Sequence, residues 1–144
     1  MSNREDSVRL QRLIDANLNR LKEGLRVLED VQRYLYDHAE YAGRFKNLRH
    51  SLQQAYDPER LRYRDIANDV LKKSTASEMR RTDLRDLIIA NFSRSQESSR
   101  VLEEAFKLLD PDLSALFKEI RYELYDLEKA VLGEPEKKSN SNSR

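Results

Sequence analysis

The sequence predicts an all-α fold: a bundle of long helices made of two pseudo-symmetric helical hairpins joined by a polar connector. Three observations predict it. Three glycines and three prolines in 144 residues leave too little turn material for many strands or alternating βα units. Apolar residues return at three, four and seven positions over long stretches, the period of a helix with one buried face. The chain also repeats itself, at long range and with polar residues included.

The elements follow in order. A first helix is expected from Asp6 or Ser7 toward Asp37, its stripe formed by Leu10, Leu13, Leu21, Leu28, Val31 and Leu35. Arg26 and Glu29 fall outside that stripe and should face solvent. At about 30 residues and 1.5 Å per residue it would measure about 45 Å, a length suited to a bundle. A second helix over residues 40–55 turns Tyr41, Phe45, Leu48, Leu52 and Ala55 inward, and Asp57-Pro58 stops it, because the residue before proline is pushed out of the α region. Residues 59–74 are dense in charge and make a connector, with room for a short helix. Thr75 and Glu78 have capping-box spacing, so a third helix should start near Ala76 and run to Leu109. Asp110-Pro111 then pairs a cap with a first-turn proline and opens a fourth, ended by Gly133 and Pro135. Residues 6–133 read as a single helical domain and 134–144 as a flexible tail with nothing to bury.

Composition closes several functions. No run approaches the roughly 18 apolar residues of a membrane span, and the start lacks a secretory pattern, so a cytoplasmic protein without membrane contact is expected. A net charge of +1, with basic and acidic residues interleaved, gives no general pull toward nucleic acid. Without cysteine there is neither thiolate chemistry nor sulfur-ligated metal. His38 and His50 are too few for a histidine zinc site and read as capping or surface residues.

The repeat carries the functional signal. Residues 15–30 match 89–104 at a fixed offset, with Ala16/Ala90, Asn17/Asn91, Arg20/Arg94, Glu23/Glu97, Arg26/Arg100, Val27/Val101, Leu28/Leu102 and Glu29/Glu103 identical; Phe45, Lys46 and Arg49 return as Phe117, Lys118 and Arg121. Packing requires only the apolar identities. Asn17 and Arg20 lie inside or beside the stripe and Glu23 at its edge, and buried polar groups demand partners. Two readings stand. Either Arg20 pairs with Glu23 and Arg94 with Glu97, Arg26 and Arg100 completing structural ion-pair networks, or Asn17, Arg20, Asn91 and Arg94 surround a pocket for a phosphorylated small molecule, to which the arginine fork is suited. Arg49 and Arg121 either pair with an acidic residue of the long helix or, as is expected of Arg121, join the connector's Arg64 in binding substrate. Gly24 opposite Ser98 is a small-for-small match that permits close helix crossing. Ser95 and Ser99 replace Leu21 and Leu25, which makes the second copy the candidate for a wetter site, and no adjacent histidine and acid make any serine a nucleophile. Asp65 and Asp69, four apart, would share one face of a short helix, where they would hold magnesium or act catalytically on a proton.

The segment Leu13-Ile14-Asp15-Ala16-Asn17-Leu18-Asn19-Arg20-Leu21-Lys22-Glu23-Gly24-Leu25-Arg26-Val27-Leu28-Glu29-Asp30 resembles the opening of a helical domain found fused ahead of thiamine-phosphate synthase in some bacteria. The resemblance continues through Arg64-Asp65, Asp69-Val70, Ala90-Asn91, Arg94, Glu97, Arg100 to Glu104, and Phe117 to Tyr122, with Leu71 where that family has glycine. It implies a role in thiamine biosynthesis as an ATP-dependent kinase converting hydroxymethylpyrimidine phosphate to the diphosphate, with ATP and magnesium as cofactors, the arginines on phosphate, and Asp65 or Asp69 on magnesium. Against this, the chain has neither a Gly-rich Lys-Ser/Thr loop nor a kinase glycine loop. The open alternative is a non-catalytic module that binds a phosphorylated pyrimidine, or a helical partner of a separate thiamine-phosphate synthase, with self-association also open.

Overall fold

The computed structural model describes residues 4–73 and 80–133, and among them every regular element is a helix. Helix α1 spans Arg4–Asp30, α2 Ala39–Ser51, α3 Leu84–Phe106 and α4 Pro111–Leu132. The long helices α1 and α3 pack on each other, α2 lies on α1, α4 lies on α3, and α2 touches α4 at one side. No described helix is long and apolar enough to cross a membrane.

Regular α-helix ends at Asp30, seven residues before the expected Asp37. Val31–Leu35 form a π-helical turn, in which the Tyr36 amide reaches back to the Val31 carbonyl at 3.2 Å. That wider turn shifts the register, so Val31 stays buried while Leu35, expected on the apolar stripe, rotates into solvent. Asp37 sits at φ 51°, the left-handed region that aspartate tolerates better than most residues. His38 then caps α2, its Nδ1 accepting the Tyr41 amide hydrogen at 3.1 Å and its ring stacked on the Tyr41 ring.

Beyond α2 the chain tightens into a 3-10 turn, Leu52–Ala55. Asp57-Pro58 does break the helix, but it also opens a second 3-10 helix, Pro58–Tyr63, whose first turn is capped by the Asp57 carboxylate on the Glu59 amide. The expected capping box Thr75–Glu78 and start near Ala76 lie outside the described residues. Helix α3 begins at Leu84, with Asp83 as its cap on the Asp86 amide. It ends at Phe106, and Leu108 and Leu109 follow in exposed turns. The expected tail, 134–144, also lies outside the described residues.

Asp110-Pro111 starts α4 as its sequence requires, the Asp110 Oδ1 accepting the amide hydrogens of Asp112 and Leu113 at 3.1 and 3.4 Å. Asp110→Ala should lower unfolding free energy by about 1 kcal/mol while Asp110→Asn costs little. Urea midpoints at constant slope measure both.

The core is one apolar cluster centred on Ile14, Leu21, Leu25, Phe45, Phe92, Leu102, Phe117 and Leu124. Gly24 sets the closeness of the α1–α3 crossing: a Cβ built on it would lie 2.4 Å from the Ser95 Oγ. Ser95, Ser98 and Ser99 are buried in the core, which overturns the expectation of a wetter site in the second copy. They serve as small side chains where helices approach, and the Ser99 hydroxyl is spent on the Ser95 carbonyl.

The repeated polar residues occupy equivalent contacts. Glu29, expected in solvent, is 2% exposed, because Arg49 of α2 reaches over it with Nε at 2.8 Å and Nη2 at 3.3 Å from its two oxygens. Arg121 of α4 does the same to Glu103 of α3, with Nε at 3.1 Å and Nη2 at 2.8 Å from Oε1. A helical wheel shows one helix only. It cannot show that the neighbouring helix brings a cation across the polar edge.

Candidate functional site

The largest cluster of the expected site residues lies on the first copy. A groove of about 580 Å³ runs between α1 and the connector, lined among others by Arg12, Asn17, Arg20, Glu23, Arg64, Asp65 and Asp69. Arg64 leaves the 3-10 helix in extended backbone and forks onto Asp15, Nε to Oδ2 at 2.8 Å and Nη2 to Oδ1 at 2.9 Å. Arg12 donates from α1 to the Asp65 carbonyl at 3.4 Å. Together these bonds pin the connector to the long helix and give the groove its second wall.

Within the groove the charges are mixed. Arg9, Arg12, Arg20 and Arg64 face Asp15, Glu23, Asp65 and Asp69. The hydrogen bonds it donates to Asp15 hold the Arg64 guanidinium more firmly charged, with smaller help from the charges of Asp15 and Glu23 and against the cost of burial. The Asn68 side-chain amide, donating at 2.7 Å, is the main reason the Asp65 carboxyl lies below its ordinary range. Arg20 is exposed and has no hydrogen bond or ion pair among the described residues. Beside it, Asn17 is buried with its Nδ2 spent on the Leu13 carbonyl at 2.9 Å, which leaves Oδ1 as its spare acceptor. The groove thus offers one unpaired guanidinium next to several carboxylate and amide acceptors. Chemically, such a set is suited to an anion at one end and N–H donors at the other.

The short helix expected to align Asp65 and Asp69 does not form. The 3-10 helix ends at Tyr63, and 66–68 make a turn in which Asp65 accepts both the backbone and side-chain N–H of Asn68 while Asp69 accepts the Leu71 amide hydrogen. Among the described residues no three histidine or acidic side chains gather as a metal set. These two carboxylates hold a turn, and both line the groove.

The second-copy residues stand apart. Asn91 repeats the Asn17 contact, its Nδ2 on the Leu87 carbonyl at 2.8 Å. Arg94 is exposed and outside the groove, and Arg121 is buried on Glu103. Neither Arg20–Glu23 nor Arg94–Glu97 forms an ion pair among the described residues; instead Arg26 reaches Asp30 at 3.4 Å and Arg100 reaches Glu104 at 3.3 Å. Glu97 and Arg100 line a separate hollow with Ser93, Gln96 and Tyr125. Arg9, Arg12 and Asp15 escaped the sequence reading. A signal existed for Asp15: it faces Ile89 in the repeat, a carboxylate present in one copy alone.

Comparison with known proteins agrees in direction. A family model described as the ThiD2 family matches residues 12–130. The chain is 43% identical over 125 residues to a thiamine-phosphate synthase of Synechocystis sp., covering 86% of this chain and 36% of that protein. It is 44% identical over 126 residues to one of Synechococcus sp. strain CC9311, with 87% and 36% covered, and 39% identical over 128 residues to one of Thermosynechococcus vestitus, with 88% and 36% covered. The chain therefore spans about a third of the length of these relatives. No solved structure matches it.

The kinase expectation, and with it a transferase role, is corrected by the fold. Nucleotide-kinase folds set a phosphate-binding loop against a sheet, and the described residues contain helices and turns with no sheet.

Proposed function

The chain belongs to the ThiD2 family, and on that footing we propose that it is a non-catalytic helical module of thiamine biosynthesis that holds a phosphorylated pyrimidine between α1 and the connector. The single observation that carries this reading is Arg20, unpaired among the described residues, beside buried Asn17 in a groove whose far wall is fixed by Arg64 on Asp15. The phosphate goes to Arg20, and the amino group of the ring donates to the carboxylates of the connector. A thiamine-phosphate synthase is the natural recipient of such a ligand, and the relatives that contain the matched segment bear that name.

We read the bundle as two hairpins, α1–α2 and α3–α4, related by an approximate two-fold axis. The matched contacts of Asn17 with Asn91 and of Glu29–Arg49 with Glu103–Arg121 support that reading. One copy then binds ligand and the other supports it, since Asp15 has no counterpart at Ile89.

Calorimetric titration with hydroxymethylpyrimidine phosphate tests the assignment. Binding should weaken about tenfold or more in Arg20→Ala, the loss of one charge-assisted contact, with helical content retained. Arg94→Ala should bind as the parent does. Equal affinity in Arg20→Ala would remove the site, and diphosphate product in the presence of ATP and magnesium would overturn the non-catalytic reading.

A further inference from the structure

Across the Arg64–Asp15 bridge lies another groove of about 570 Å³, between α1 and the chain that runs from the end of α2 through the 3-10 helix Pro58–Tyr63. Its lining carries Lys22, Arg49, Arg60 and Arg64, with His50, against two carboxylates, Asp15 and Asp57. Arg49 and Arg64 are already neutralised by Glu29 and Asp15, and Asp57 caps the Glu59 amide.

Arg60 is different. It is 8% exposed, yet its Nε donates to the Gln11 Oε1 at 2.7 Å and its Nη1 to the Ala55 carbonyl at 2.9 Å, both neutral acceptors. Its guanidinium lies 5.8 Å from the centre of the Phe106 ring. Among the described residues no carboxylate comes within ion-pair distance. Burial therefore presses its pKa down, offset only in part by the more distant Asp57 and Asp15. Buried cations are ordinarily paired, and among the described residues this one donates only from Nε and Nη1, both to neutral acceptors, on the edge of a groove whose other cations outnumber its acids.

We infer that this groove is a second anion site, taking a phosphate group between Arg60 at its floor and Lys22 at its rim. Arg60 supplies fixed donors from a low-dielectric position, where a charge-assisted bond is strongest. Tyr56, exposed on the rim, offers a ring face on which the planar group of a phosphate ester would stack. Inorganic pyrophosphate and a phosphate ester such as uridine monophosphate share the anion; only the second uses Tyr56. The inference does not depend on what occupies the Arg20 groove.

Nitrogen-15 NMR titration of the full chain with pyrophosphate should shift the Lys22 and Tyr56 amides and the Arg60 Nε–H resonance together. Lys22→Glu should weaken binding about fivefold or more, since it replaces a rim attraction with a repulsion. Arg60→Met should abolish it; should that variant fail to fold, Lys22→Glu, an exposed change, still decides. Arg20→Ala should leave this binding unchanged, which separates it from the first groove. Tyr56→Ala should weaken uridine monophosphate and spare pyrophosphate. Shifts confined to Asn17, Arg20 and Asp65, no saturable shift at all, or unchanged affinity in Lys22→Glu would overturn the inference.

Discussion

Glu103→Ala should lower the unfolding free energy by about 3 to 5 kcal/mol, a large part of the stability of a domain this size. The reason is what the substitution leaves behind. The Arg121 and Glu103 side chains are 10% and 8% exposed, and both guanidinium bonds end on the same carboxylate oxygen. The Tyr125 hydroxyl at 3.4 Å and then Glu103 keep Arg121 charged, and the Tyr122 ring lies 5.0 Å from its Cζ. Removal of Glu103 strands a buried cation against two aromatic rings. Glu103→Gln, which keeps an acceptor, should lose less. The double change Glu103→Leu with Arg121→Met should recover most of the loss, because similar volume without charge avoids the desolvation cost. In the first copy Arg49 is 19% exposed and can turn to water, so Glu29→Ala should cost less than Glu103→Ala. Urea unfolding at constant slope measures the series. A Glu103→Ala midpoint close to the parent would mean that Arg121 is held for another purpose.

That pair also shows where the sequence was readable. The helical period and the proline and aspartate stops placed α2 and α4 closely, because those signals act locally on the backbone. The end of α1 was not legible: the π-helical turn at Val31–Leu35 arises from a hydrogen-bond register that no residue type announces. The recurrence of Glu29 as Glu103 and of Arg49 as Arg121 marked the clamps between neighbouring helices. The groove drew on residues that the repeat does not share, namely Asp15 and the connector's Arg64, Asp65 and Asp69, joined to Arg20 and Asn17. Arg64 and Asp15 are 49 residues apart, and nothing in a local pattern brings them together. Arg60 was hidden for a related reason: a charged residue in a charged segment reads as surface until the fold buries it under Gln11 and Phe106.

Gly24→Val should destabilise the protein by about 1 to 3 kcal/mol through overpacking of the α1–α3 crossing. Even the first carbon has no room, since a Cβ at position 24 would stand 2.4 Å from the Ser95 Oγ. The next nearest atoms, the Asn91 carbonyl oxygen at 3.5 Å and the Ser95 Cβ at 3.6 Å, are at ordinary contact distance. One hydroxyl is therefore the whole obstacle to alanine, and that hydroxyl is buried without a hydrogen-bond partner among the described residues. Ser95→Ala should thus be neutral or stabilising by itself, as it removes an unsatisfied polar atom. In that background Gly24→Ala should change sign. It should destabilise the parent but stabilise the Ser95→Ala protein by about 0.5 to 1 kcal/mol, the gain from replacing glycine in a helix interior. Valine should remain costly in both backgrounds, because its methyl groups extend past the space the hydroxyl vacates. The four proteins of the alanine cycle, compared by thermal and urea unfolding, give a coupling energy that area burial alone would not produce. Additive effects would mean that the two long helices are held apart at Gly24, and that the serines of the second copy are not the small residues that let them meet.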